Sequence, residues 1–193
     1  MAKTFILGVG AQKAGSTWLH HYLKASRMGS DAQEKEYHVW DELHIPEFAN
    51  WGRRHSRNML TPERAVLRDK LMKNEENYYN YFAGLLASPG VSIAWDITPE
   101  YSGLPRDVLA RIRKGFHDRG IEARVVFVMR DPVDRAFSAF RKRTLNNSAR
   151  FGAFSDDEVF RYLTKPRVAI RSAYDRTISE LDASFEPASI FYG

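Results

Sequence analysis

An α/β fold, with a central parallel sheet flanked by helices on both faces, is the fold class this sequence predicts, on three observations. Apolar runs of strand length recur at residues 5–9, 91–95 and 125–129. Each is followed by a stretch with helical periodicity, the pattern of repeated βα units and hence of a parallel sheet. A chain of 193 residues with 44% hydrophobic content can bury one sizeable core, so a single domain over residues 1–193 is expected.

The elements follow in order. Phe5, Ile6, Leu7 and Val9 form the first strand and lead into the glycine-rich stretch of residues 8–17, Gly-Val-Gly-Ala-Gln-Lys-Ala-Gly-Ser-Thr. Trp18, Leu19, Tyr22 and Leu23 then recur at helical spacing and should lay one apolar side against the sheet, with His20 and His21 as ordinary helix residues. Residues 26–60 are polar with scattered aromatics (Tyr37, Trp40, Phe48, Trp51), which suits a long loop or short helices beside a site. Thr61-Pro62-Glu63 opens a helix reaching about Leu71, and another covers Tyr78–Ala87, stopped by Ser88-Pro89-Gly90. Leu104–Phe116 reads as the helix after the second apolar run. Val125 to Met129 has the continuous apolar character of a strand buried on both faces. Asp131 suits an N-cap and Pro132 a first helical position, so a helix starts at once. Its apolar stripe is Val133, Ala136, Phe137 and Phe140, with Ser138 on the opposite side. Ser155-Asp156-Asp157-Glu158 is a capping box that starts a helix at Asp156. A last helix over residues 168–184 places Ile170, Tyr174, Ile178 and Leu181 on one side.

Two of these stretches carry chemistry. In residues 8–17, Gly10 and Gly15 frame a loop between strand and helix, where converging backbone N–H groups and the helix dipole favour an anion. A nucleotide triphosphatase would place Lys directly after the second glycine; here Ser16 and Thr17 follow Gly15, and the Lys sits inside the loop at Lys13. In the second stretch, Arg130 emerges at the C-terminal end of a strand, where open α/β sheets bind their ligands.

Together the two stretches resemble the sulfotransferases that use 3′-phosphoadenosine 5′-phosphosulfate (PAPS). Gly10 with Lys13-Ala14-Gly15-Ser16-Thr17 is similar to the loop that holds the 5′-phosphosulfate in that family. Arg130-Asp131-Pro132 with Ser138 is similar to the motif that holds the 3′-phosphate. Lys35-Glu36-Tyr37-His38 resembles the Lys-Glu-x-His segment of the carbohydrate-type branch, Thr98-Pro99-Glu100-Tyr101 its Thr-Pro-x-Tyr segment, and Arg171-Ser172-Ala173-Tyr174 a diverged Arg-Gly-x-Tyr element. The resemblance implies a three-layer P-loop-type fold. It implies sulfuryl transfer from PAPS to a hydroxyl, less readily an amine, of an acceptor that carbohydrates exemplify, leaving adenosine 3′,5′-bisphosphate. It further implies Gln12, Lys13, Ala14, Gly15, Ser16, Thr17 and Trp18 around the phosphosulfate, and Arg130 and Ser138 on the 3′-phosphate. Lys13 would stabilise the leaving oxygen, Glu36 would be the catalytic base, and His38 would orient the acceptor or act as base instead. No metal is required.

There are two departures from the family pattern. Ile97 stands where many relatives of the carbohydrate branch have Lys, and the chain ends at Gly193 where relatives begin another strand and continue. The expectation is a C-terminally incomplete domain with weakened nucleotide binding and an apolar face that favours self-association.

Composition narrows the alternatives. With no cysteine there is no disulfide framework or thiolate metal site, and the N-terminal apolar run is too brief for a signal peptide or membrane span, so the expected location is cytoplasmic. The net charge of +5 and basic groups at Arg53, Arg54 and Arg57 and at Arg141, Lys142 and Arg143 invite a nucleic-acid reading, but acids are interspersed and no nucleic-acid motif is present. An anionic cofactor, with an anionic acceptor, explains the positive balance better. Asn146-Asn147-Ser148 fits a glycosylation sequon that is incidental without a secretory signal. Two alternatives stay open: a PAPS-binding module without turnover, and a P-loop kinase or NTPase in which Asp96 would imitate the magnesium-binding acid.

Overall fold

Four parallel strands, β1 (Thr4–Gly10), β2 (Ile93–Ile97), β3 (Glu122–Phe127) and β4 (Ile190–Tyr192), form a sheet in the order β2-β1-β3-β4. The structure is a computed structural model that describes residues 2–30, 34–49, 61–145 and 154–193, except for the side chains of residues 144 and 145. Trp51, Arg53, Arg54, Arg57 and the sequon at residues 146–148 lie outside the described residues.

Strand β1 pairs with both neighbours, Thr4 standing opposite Ile93 on one side and Glu122 on the other, and its register against β3 shifts between Gly8 and Gly10. Its side chains divide by the twofold strand period. Phe5, Leu7 and Val9 enter the larger core, where the Phe5 ring stacks on Phe116 at 3.9 Å and meets Phe82 edge-on at 4.8 Å. Ile6 joins Leu19, Leu23, Trp95 and Ile97 in a second cluster on the opposite face.

Helices cover both faces, which makes the predicted three layers. Helix α1 (Ser16–Ala25) supplies Leu19 and Leu23 to the second cluster. After the short helix α2 (Trp40–His44) come α3 (Pro62–Lys73), α4 (Glu75–Ala87) and α5 (Arg106–His117); Tyr78, Phe82, Val108, Ile112 and Phe116 from α4 and α5 fill the larger core. Helix α6 (Pro132–Leu145) follows β3 and packs against α7 (Asp156–Leu163), which leads to the short α8 (Pro166–Ala169) and then α9 (Tyr174–Asp182).

The predicted caps hold. Thr61 Oγ1 accepts from the Arg64 amide, Asp131 Oδ1 accepts from the Asp134 amide at 2.9 Å, and Ser155 with Glu158 forms both bonds of the capping box. Asn74 caps α4, so that helix starts one residue after Asn74 rather than at Tyr78.

Four further expectations are corrected. The last helix is not continuous over 168–184. It is broken into α8, a 3-10 turn at Ile170–Ser172 and α9, because Ala173 leaves the helical region and the turn carries Arg171 and Ser172 inward to buried partners. On α1, Leu19 and Leu23 face the sheet, whereas Trp18 and Tyr22 are 67% and 61% exposed and stack on each other at 5.3 Å. On α6 only Ala136 and Phe140 of the expected stripe are buried, and Val133 and Phe137 are exposed. Strand β3 also begins earlier than the apolar run, its Glu122 and Arg124 forming an ion pair on the solvent side.

Candidate active site

The loop after β1 is shaped by backbone that only certain residues adopt. Gly10 has φ +133°, and a Cβ there would stand 2.9 Å from the carbonyl oxygen of Pro99, so both conformation and space require glycine. Gly15 has φ +108° and serves as the N-cap of α1, and Lys13 is itself left-handed at φ 68°. The loop thereby ends on the amino terminus of a ten-residue helix whose first turn carries no acid, which leaves its dipole available to an anion.

An open cleft of about 810 Å³ lies over this loop. Gln12, Lys13, Gly15, Ser16 and Thr17 line one side of it, and Arg130 and Ser138 reach it from the β3–α6 junction, so the two sequence motifs meet across the sheet. Lys35 and Glu36 line it as well, from the segment that precedes α2. Ala14 packs against the core and can serve only through its backbone, and Trp18 stands on the exposed face of α1 outside the cleft lining. Burial and then the charges of Lys142, Arg130, Arg141 and Lys35 push the Lys13 pKa below its ordinary value, the mark of a site dense in positive charge.

Glu36 sits between Lys35 and His38. Lys35 Nζ donates to Glu36 Oε1, and Glu36 Oε2 lies 3.2 Å from His38 Nε2. Burial acts to raise the Glu36 pKa, but the bonds and charges of His38 and Lys35 outweigh it and hold the carboxyl at about 2. His38 in turn has Nδ1 2.8 Å from Asp41 Oδ2. Burial would lower its pKa, yet Asp41, Glu36 and Glu100 carry it well above the ordinary 6.5. Both ring nitrogens are thus engaged, and His38 acts on the cleft through Glu36.

Below this row lies buried polar scaffolding. Glu100 Oε1 accepts from Arg171 Nη2 at 2.7 Å and from Gln12 Nε2 at 3.1 Å, tying the loop after β1 to the turn after α8. Asp96 is fully buried and accepts from the hydroxyls of Thr98, Tyr78 and Tyr101 at 2.6, 2.9 and 2.7 Å. Its carboxyl is raised to about 6, burial winning over these bonds. Asp96 is absent from the cleft lining, so it is a structural anchor and not the magnesium acid that a kinase reading would need.

The fold also assembles what the sequence did not suggest. His38, Asp41 and Glu100 place ligand-type atoms within 4.8 Å of one another, an Asp/His cluster invisible in the linear order. Those atoms are committed to one another and to Arg171, which makes the cluster an ion-pair network. Lys142, Arg143, Tyr162, Arg167 and Arg171 line the cleft too. The basic run Arg141-Lys142-Arg143 was the sequence signal for Lys142 and Arg143, and the Arg171-Ser172-Ala173-Tyr174 element that for Arg171; Tyr162 and Arg167 carried none.

No family model matches the chain, and no curated protein matches it. Among solved structures, the sulfotransferase domain of the Synechococcus PCC 7002 olefin synthase is similar, with a TM-score of 0.55 at 17% sequence identity over 98% of this chain. This chain spans 64% of the length of that structure. The chain has a sulfotransferase-type fold, an α/β fold with an all-parallel sheet between helical layers. Among the described residues no helix is long and apolar enough to cross a membrane.

Proposed function

We propose that this chain is the donor-binding and catalytic part of a sulfotransferase that moves a sulfuryl group from PAPS to a hydroxyl of an acceptor, with a carbohydrate as the type of acceptor. One observation carries the reading: the Lys13 loop, Arg130 with Ser138, and Glu36 all face one cleft. The residues present fit the donor, since an anion of several charges would relieve the mutual repulsion felt at Lys13.

In this reading the loop amides from Lys13 to Thr17 hold the 5′-phosphate, and Arg130 with Ser138 holds the 3′-phosphate, the guanidinium bidentately. PAPS supplies an activated sulfuryl group, and the protein contributes position and charge. Lys13 neutralises the charge that develops on the leaving oxygen. Glu36 accepts the acceptor's proton. Its depressed pKa makes it a weak base, but the hydroxyl becomes strongly acidic as its oxygen bonds to sulfur, so a late proton transfer needs no strong base. Lys35 and His38 keep Glu36 ionised and aimed.

The test is a pair of titrations, adenosine 3′,5′-bisphosphate against ATP with magnesium, together with a transfer assay using labelled PAPS. The bisphosphate should bind the more tightly. Preferential binding of the magnesium nucleotide would make the cleft that of a kinase or NTPase, and bisphosphate binding without transfer to any acceptor would leave a module without turnover.

A further inference from the structure

The segment that carries Glu36 and His38 belongs to no strand or helix, yet its backbone is gripped by side chains from two other parts of the fold. Its amides are met by β2 and the turn after it: the Tyr37 amide donates to Asp96 Oδ1 at 3.3 Å and Thr98 Oγ1 at 3.2 Å, and the Val39 amide donates to the Tyr101 hydroxyl at 3.2 Å. The Lys35 carbonyl accepts from the Ile97 amide at 2.8 Å. The next two carbonyls but one are met by Arg68 from α3, a residue that stands in no sequence motif. Arg68 Nε donates to the Tyr37 carbonyl at 3.1 Å, and Arg68 Nη2 donates to the His38 carbonyl at 2.7 Å and to Glu42 Oε2 on α2.

This grip holds a conformation that the segment would not keep alone. His38 has φ 52°, a left-handed backbone that a residue with a Cβ occupies at a cost and retains only where its surroundings over-determine it. With His38 so held and the Tyr37 ring buried in the core between them, Glu36 Oε2 meets His38 Nε2 at 3.2 Å. Arg68 is buried, as is the Glu42 side chain that pairs with it. Arginine suits the position because a planar guanidinium presents several donors in a fixed fork, whereas lysine carries its donors on one nitrogen. Arg64, one turn earlier on α3, binds the Glu34 side chain instead, from an exposed position. Arg68 is absent from the cleft lining, so it acts on the cleft through the segment that it holds.

We propose that Arg68 is a positioning residue of the transfer reaction: by holding the Tyr37 and His38 carbonyls it keeps His38 left-handed, and through His38 it aims the Glu36 carboxylate at the acceptor hydroxyl. This rests on the sulfotransferase reading and adds to it a residue that touches neither donor nor acceptor. Loss of the fork lets His38 relax, which withdraws Nε2 from Glu36 and leaves the base misaimed, while the donor contacts of the loop after β1 stay as they are.

The experiment compares the parent with Arg68→Lys, which keeps a charge beside Glu42 but replaces the fork by one nitrogen, with the charge-neutral pair Arg68→Met and Glu42→Gln in one chain, and with Arg64→Gln. NMR of chains carrying isotope-labelled histidine follows the His38 ring. Turnover of labelled PAPS with p-nitrophenyl glycosides is counted per bisphosphate-binding site, the sites being found by calorimetric titration, so that any unfolded chain drops out. Both Arg68 variants should displace the His38 ring resonances in the folded chain and lower kcat per site by about tenfold or more, with bisphosphate affinity and acceptor KM within about threefold of the parent. Arg64→Gln should change neither. A purely structural role would lower the melting temperature and leave the His38 resonances and kcat per site at their parental values, and that result overturns the proposal. So does a loss that falls on KM or on bisphosphate affinity in place of kcat, and so does failure of both Arg68 variants to fold. A parent chain that binds no bisphosphate, or binds it and transfers to no glycoside, overturns the sulfotransferase reading itself and the positioning role with it, even where the His38 resonances respond to Arg68.

Discussion

Gln12 Nε2 in the loop after β1 donates a 3.1 Å hydrogen bond to Glu100 Oε1, an atom that also accepts from Arg171 Nη2 at 2.7 Å. A single buried carboxylate thereby joins the loop after β1, the turn after β2 and the turn after α8. Removing it strips the charge partner from an arginine that is 8% exposed. Glu100→Ala should destabilise the fold by about 3–5 kcal/mol. Urea unfolding of the parent and the variant measures this directly, and an unchanged midpoint would mean that Arg171 finds another partner.

Lys13→Ala should leave the fold intact, because Lys13 is partly exposed on a loop and packs into no core cluster. Transfer should fall by about two orders of magnitude or more, in line with the roughly 3 kcal/mol that one well-placed charge donor contributes to a transition state. Circular dichroism with a single-turnover assay separates the two effects. Turnover close to that of the parent would remove Lys13 from the mechanism.

Arg130→Ala should discriminate between nucleotides. Arg130 faces the cleft, and among the described residues its side chain makes only a long 3.4 Å contact with Asp134, so it is available to a ligand. The variant should lose affinity for adenosine 3′,5′-bisphosphate by about tenfold or more, and much less for adenosine 5′-phosphosulfate, which lacks the 3′-phosphate. Calorimetric titration of both nucleotides decides it, and equal losses would assign Arg130 a structural role.

The His38 network should shape the pH dependence of stability. Its folded pKa lies above the ordinary 6.5, so its contribution is complete below that value and disappears as pH rises through the folded pKa. Glu36 is depressed to about 2, so its contribution is present above its ordinary 4.5 and disappears as pH falls toward 2. Thermal melts should therefore show two losses, one on the alkaline side above 6.5 and one on the acid side between 4.5 and 2. In His38→Gln the alkaline loss should shrink, with the imidazole titration followed by NMR in the parent. An alkaline limb of unchanged size in the variant would assign that loss to other groups.

Much of the layout was legible in the residues because it depends on local physics. Apolar runs of strand length, Thr61 and Asp131 at helix starts and the Ser155–Glu158 box act within a few positions of themselves, and the structure keeps each of them. The order of glycines around Lys13 determined a loop with left-handed backbone, since few side chains tolerate φ values of that sign.

What the tertiary structure decided is everything that depends on partners far away in sequence. The break at residues 170–173 exists because Arg171 and Ser172 find Glu100 on the turn after β2 and Arg135 on α6, and helical periodicity cannot register such partners. Trp18 and Tyr22 read as core by spacing but face outward, because the sheet offers α1 room only for Leu19 and Leu23. The cleft itself follows the same rule. Lys13 and Arg130 declared themselves through local motifs, whereas Arg167 and Lys142 become part of the site only when α6 and α8 close around it, since electrostatic proximity is a property of the folded chain and not of the sequence order.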